Sequence, residues 1–514
     1  MLFLSIFERR KMVSVVFSAA VGGIEAQIIN VEADVSDGLP VFNMVGYLSS
    51  EVKEAKDRVR TSIKNSGISL KPKHITVNLS PANLRKTGTG FDLPVAVSIL
   101  AAYELIPQDI LDGSVVVGEL SLEGRIKRIS GILPIVLAAR DKGFKRVIVP
   151  RENVLEGAVV SDIEIVGISS LGELMSLIMN GEELPVTDPV KVVLDDEKIY
   201  AEDFSEVSGQ LLARRAVEIA VSGMHNIILS GPPGAGKTML AKRIPTIMPM
   251  LSFDESVELS RIYSIAGLFD EDRYILTRRP FYAPHHTATI PSLIGGGAKA
   301  TPGAVSLSHN GVLFLDELPE FGRETIESLR QPLEDRKVNI TRMNASYTYP
   351  AGFMLVASMN PCPCGFYPNR TKCTCSPMSI ESYKHRISRP ILDRIDIFVN
   401  VEKTDFKDIC DGGSGEGSCS IRKRIETVRQ LQLKRYATEK IRFNSQLTGG
   451  MVDKYCVLNE KCRKIMEKAY DALQLSARGY HRILKVARTI ADMGGFESIM
   501  EEHLREAIGY RGFM

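Results

Sequence analysis

Between Ser14 and about Gly181, short β-branched runs alternate with longer helix-forming stretches. Ile75–Leu79, Val115–Val117 and Val147–Val149 have strand length, while Phe91–Leu105 and Ile132–Lys142 have helix length. This pattern predicts an α+β unit with its own core. Residues 182–204 carry two prolines and many charges and predict a linker. Further on, Asn226–Ser230 and Gly311–Leu315 are apolar runs, the second unbroken as in a strand buried on both faces of a parallel sheet. Asp411–Gly417 is a glycine-rich connector, and from Ser420 the pattern is helical, basic over Ile421–Ala437 and amphipathic over Leu475–Met493. The expected organisation is a first domain over 12–181, the linker, a core over 205–401 and a helical domain over 402–514. No short-period repeat interrupts it.

Composition adds exclusions. At 514 residues the chain is long enough for several domains. Lys+Arg 64 against Asp+Glu 62 leaves no global charge that demands a polyanion, so any nucleic-acid contact must be local. No run is long enough to span a bilayer. The apolar Met1–Phe7 precedes Glu8-Arg9-Arg10-Lys11, the reverse of a secretory signal, so a start at Met12 and a cytoplasmic protein are expected. The eight cysteines should then be reduced or metal-bound.

The chemistry concentrates at two places. Gly231-Pro232-Pro233-Gly234-Ala235-Gly236-Lys237-Thr238 follows the first apolar run and opens a helix-forming stretch, the context a phosphate-binding loop requires. Its glycines let backbone N–H groups face phosphate oxygens, Lys237 can reach the β- and γ-phosphates, and Thr238 offers a hydroxyl to Mg²⁺. The second run ends in Asp316-Glu317. At the carboxyl end of a buried strand Asp316 can hold the metal and Glu317 can polarise the attacking water. Together they predict ATP hydrolysis.

Phe281–His286, Gly295–Gly297, Pro302–His309 and Leu315–Phe321 resemble, together with these motifs, the magnesium-chelatase-like AAA+ family called YifB or ComM. The resemblance runs from Met12 to Arg511. It implies an α/β AAA+ P-loop NTPase core with a helical lid, assembled as a homo-hexamer, and a helicase or branch-migration motor acting on branched or single-stranded DNA in recombination or natural transformation. By the same resemblance Asn360 matches the polar residue that orients water, Arg394 the arginine finger acting on a neighbour's nucleotide, and Arg478 the sensor arginine of the lid. Arg386 and Arg389 are rivals for the finger. Two pore-facing hairpins are implied, one near Ile290–Thr301 presenting Lys299 and one near Asn339–Pro350 with Arg342, Tyr347 and Tyr349. Cations beside aromatic rings suit a nucleic-acid strand.

Gly118–Arg125, Ala138–Arg140 and Val147–Pro150 resemble the proteolytic domain of Lon proteases, a ribosomal S5 domain 2-like α+β fold. Alignment puts Asp92 where that family has its serine nucleophile and Leu133 where it has its lysine, so a scaffold rather than a protease is expected. Lys71, Lys73, Arg85 and Lys86 could form a basic face there. Cys362-Pro363-Cys364 and Cys373-Thr374-Cys375 could close a tetrahedron around structural Zn²⁺. Alternatives to a DNA motor are the ATPase subunit of a metal-insertion complex, although no porphyrin site is evident, and an ATP-dependent protein unfoldase.

Overall fold

Small and β-branched residues alternate through Val13–Gly22 and Glu25–Ser36, and these strands pair antiparallel from Val13↔Asp34 to Gly22↔Glu25. A computed structural model of the protein describes residues 13–192, 200–269, 274–297, 300–342, 345–403 and 415–511. Met12, Lys299 and most of the predicted connector lie outside the described residues. The chain divides into two units, Met1–Val193 with Val257–Leu276 and Leu194–Ser256 with Thr277–Met514.

The first unit is built on an eight-stranded mixed sheet. Its order is Val186–Thr187, Glu164–Ile168, Arg146–Pro150, Ser114–Val116, Val13–Gly22, Glu25–Ser36, His74–Ser80 and Phe42–Val45. Strand alternation feeds two cores: Val16 and Ala20 join Asp92–Ala102 in one, while Ala19 joins Ile132–Asp141 in the other. The Asp92–Ala102 helix is apolar nearly all round and buried nearly throughout, as such a helix must be.

Two boundaries differ from the sequence expectation. Val186–Thr187, inside the predicted linker, pairs with Ile165–Val166 as an edge strand. Val257–Leu276, expected in the core domain, belongs to the first unit: Val257 packs in its second cluster and the Ser264 hydroxyl donates to Glu156 at 2.5 Å. Lys86 also departs from expectation. It is fully buried and its ammonium donates to the Pro81 carbonyl, because an extended lysine stem can fill apolar space only if its head finds an acceptor. It contributes nothing to a basic face.

In the second unit five parallel strands run edge to edge as Phe281–Tyr282, Val312–Leu315, Met354–Met359, Ile227–Ser230 and Ile397–Asn400. The central strands are buried throughout, matching their continuous apolar sequence. One core joins this sheet to Leu211–Gly223 and Lys237–Ile247 and to the carboxy-terminal helices Ser418–Arg435, Ala477–Met493 and Glu501–Gly509. Parallel strands give the sheet a polarity, and everything that follows depends on which end a residue occupies.

Candidate active site

At the carboxyl end, Ile227–Ser230 passes into the glycine loop and then into the Lys237–Ile247 helix. Gly234 and Gly236 have φ of 75° and 84°, left-handed conformations that glycine takes without strain. A Cβ on Gly231 would stand 2.2 Å from the Val401 carbonyl oxygen, so no larger residue fits. Gln210, itself at φ 52°, donates to the Ala235 carbonyl at 2.6 Å and holds the loop from outside.

The Lys237 ammonium donates to the carbonyls of Gly231 (2.6 Å) and Pro232 (3.0 Å) and to Asn360 Oδ1 (3.0 Å). Burial lowers its pKa, opposed by the charges of Asp316 and Glu317. Thr238 Oγ1 donates to Asp316 Oδ2 at 3.0 Å. Ser358, on the neighbouring strand, donates to the other Asp316 oxygen and accepts from the Glu317 N–H at 3.0 Å. Glu317 has φ 54°, turning the chain sharply after the strand. Lys237, Thr238, Asp316, Glu317 and Asn360 are therefore brought together. Facing hydroxyl and carboxylate oxygens are the hard donors that Mg²⁺ takes, so Thr238 and Asp316 fit that ion. Ser358 was missed by sequence reasoning. Its signal was available: two residues before Asn360 in a strand, it must point to the same side.

Arg394 and Arg478 lie elsewhere. Ile227 pairs with Ile397, and the Asn226 amide donates to the Arg394 carbonyl at 2.9 Å, so Arg394 stands at the amino end of the sheet. Four residues of strand put it roughly 10 Å or more from its own phosphate loop. Its side chain is buried, donating to the Pro390 carbonyl at 2.8 Å and to Glu334, and its Nε has no partner among the described residues. Arg478, second in the Ala477–Met493 helix, donates to the other Glu334 oxygen at 3.2 Å. Burial works to raise the Glu334 carboxyl, but Arg394, Arg478 and Arg482 hold it below its ordinary value. Glu334 lies in the last turn of a short helix, Arg330–Asp335, that leads directly into the strand Lys337–Arg342. Of the rival arginines, Arg386 pairs with Glu320 at 2.9 Å, just past Glu317, and Arg389 is exposed.

Both expected hairpins are present, Gly295–Gly296 with Thr301–Pro302 and Lys337–Arg342 with Ala345–Pro350. Arg342 is exposed and Tyr347 half-buried. Tyr349 is not at a tip: it is buried and its hydroxyl donates to the Ala300 carbonyl at 2.8 Å, pinning one hairpin to the other. The sulfur atoms of Cys362, Cys364, Cys373 and Cys375 all lie within 4.8 Å of one another.

The family described as magnesium chelatase, subunit ChlI, matches residues 203–409, with related descriptions matching 31–153 and the ChlI carboxy-terminal type matching 415–511. The chain is 39% identical over 509 residues to competence protein ComM of Haemophilus influenzae, covering 98% of each. It is 39% identical over 500 residues to YifB of Salmonella typhimurium, covering 97% of each. The chain belongs to the YifB/ComM family of magnesium-chelatase-like proteins. A shorter stretch of 135 residues is 30% identical to Lon protease 2 of Bacillus subtilis, covering 25% of this chain and 23% of that one.

In this YifB/ComM family member Asp92 and Leu133, the positions aligned with the Lon serine and lysine, are both buried. Asp92 is buried in a two-pronged ion pair with Arg58 (2.8 and 2.9 Å) and accepts the Leu120 N–H, while Leu133 is fully buried. Both oxygens of the Asp92 carboxylate are thus engaged within the first unit. Among the described residues no helix is long and apolar enough to cross a membrane.

Proposed function

We propose that this protein is an ATP-hydrolysing, ring-forming motor that acts on branched or single-stranded DNA, a helicase or branch-migration factor in recombination or natural transformation. The observation that carries the ATPase reading is the pairing of Lys237 with Asn360 and Thr238 with Asp316 at the carboxyl end of one sheet. Bound Mg²⁺ would be held by Thr238 and Asp316 and would screen phosphate charge. Lys237 would hold the γ-phosphate, Glu317 would take a proton from water, and Asn360 would orient that water. Arg394 and Arg478, at the other end of the sheet, would complete the site of a neighbouring subunit in a homo-hexamer. The first unit is read as a Lon-like scaffold without proteolytic activity, supported by the occupied Asp92 and the apolar Leu133. A cytoplasmic location and a zinc ion on the four thiols complete the reading.

The DNA reading draws support from likeness to ComM, named for competence, and from exposed Arg342 and half-buried Tyr347 on the two strands of one hairpin. Incubating labelled forked DNA with ATP tests it: forks should be processed by the native protein and not by Lys237→Ala. Binding should weaken steeply as salt rises, because phosphate contacts release counterions. Unprocessed forks with ATP turnover indifferent to DNA would instead favour a metal-chelatase-type remodelling subunit, the reading suggested by the matched family's description.

A further inference from the structure

The segment joining Asn360 to the Pro377–Lys384 helix carries four thiols and touches the phosphate loop directly. Sulfur separations are 3.4 Å for Cys362–Cys364, 3.6 Å for Cys364–Cys373 and 3.8 Å for Cys362–Cys373. Four sulfurs bound to one Zn²⁺ at about 2.3 Å stand about 3.8 Å apart, whereas a disulfide would bring two of them to about 2.0 Å. The spacing is that of a tetrathiolate shell, and soft thiolates in a tetrahedron select zinc over hard cations. The apolar cluster here is small, Cys362, Cys373 and Ile380 with Cys364, Tyr367 and Cys375 against it, so the thiols themselves form its centre. The Tyr367 N–H also donates to Cys362 Sγ at 3.4 Å, as amides do around metal-bound sulfur.

Two contacts run from this segment to the nucleotide loop. Asn360, two residues before Cys362, accepts from Lys237. Gly365, directly after Cys364, has φ 83°, and a Cβ there would lie 2.4 Å from Pro233 Cδ and 2.8 Å from its Cγ. The glycine backbone is thus laid flat against the second proline of the loop.

We propose that the four cysteines bind one zinc ion and that this ion, through Gly365 on Pro233 and Asn360 on Lys237, holds the phosphate loop in the shape that accepts nucleotide. The coupling rests on the reading of that loop as the ATP site; the metal site does not.

Full-length protein should contain about one zinc per chain by elemental analysis. Cys373→Ser with Cys375→Ser should lose the metal and bind a fluorescent ATP analogue about tenfold more weakly. Gly365→Ala should keep its zinc yet lose similar affinity, since its methyl strikes Pro233. Lys237→Ala should keep zinc and lose nucleotide. Should the double cysteine variant fail to fold, chelating zinc from native protein must weaken analogue binding and re-adding zinc must restore it. Native protein purified without zinc that binds the analogue overturns the whole proposal, and chelated protein that keeps its affinity overturns the coupling. A folded, zinc-free variant with native affinity overturns the coupling. Zinc-loaded native protein that binds no nucleotide overturns the ATP reading, and the coupling with it, while leaving the metal site standing.

Discussion

The two ends of the five-stranded sheet are built on opposite principles. At the carboxyl end the glycine loop, Asp316, Ser358 and Asn360 meet within one subunit, and their polar groups bond one another. At the amino end two guanidiniums converge on one carboxylate, Glu334, with no glycine cradle beside them among the described residues. Parallel strands explain the asymmetry, because only their carboxyl ends feed helix N-termini whose free N–H groups suit phosphate. Cations gathered at the other end are useful to a triphosphate only if another copy brings one to them. Further polar contacts tie that end together: Arg482 bonds both the Arg394 carbonyl (3.1 Å) and the buried Asp396, which also meets His225 at 3.2 Å. Burial works against the Asp396 carboxylate, yet Arg482 and His225 hold it well below the usual range.

The largest effect should come from breaking this division of labour. On the proposed role of Arg394 as an arginine finger, Arg394→Ala should lower ATP turnover by about 10³-fold while leaving nucleotide binding intact, since such a group acts on charge in the transition state. Lys237→Ala should lose binding as well. Mixing the two inactive variants should recover turnover, because some neighbouring pairs then join an intact loop to an intact arginine. No recovery in demonstrably mixed rings would mean that the ends do not serve one site. Next in size, Glu317→Gln should bind ATP normally and turn it over about 10²-fold more slowly. Native turnover by that variant would remove Glu317 from the reaction.

A smaller loss, about tenfold in turnover at unchanged nucleotide affinity, is expected for Glu334→Gln. Its charge positions both arginines, but half of the side chain faces solvent, which screens the pair. Because Glu334 lies in the last turn of the helix that leads into Lys337–Arg342, DNA stimulation of turnover should fall further than basal turnover. Equal losses would show that the carboxylate has no link to the hairpin.

These residues differ in how far the sequence exposes them. The phosphate loop, Asp316 and both cysteine pairs are local words, with ligand spacing and strand context written within a few positions. The two sheets are likewise legible, since β-branched runs of strand length bury one way. Glu334 has no local mark: it becomes important only when a helix 144 positions away brings Arg478 to it. Lys86 and Tyr349 mislead for the same reason, as a charge or ring in a turn-rich stretch looks solvated until tertiary packing encloses it. The Val257–Leu276 stretch follows suit, its partners Gly131 and Glu156 lying far upstream.

The smallest predicted effect tests whether the carboxyl end is as self-contained as its geometry says. Ser358 is fully buried and bridges Asp316 to the Glu317 backbone, so it fixes the two acids relative to each other without touching phosphate itself. Removing one such hydrogen-bonding group costs about 1 kcal/mol, which corresponds to about fivefold in rate. Ser358→Ala should therefore slow turnover about fivefold and raise the Mg²⁺ concentration needed for half-maximal rate, because Asp316 loses the partner that aims it. Ser358→Thr, which keeps the hydroxyl, should restore the magnesium dependence even if its added methyl lowers stability. If the alanine variant shows native magnesium dependence, Asp316 is aimed by Thr238 alone, and the two strands contribute to the site independently.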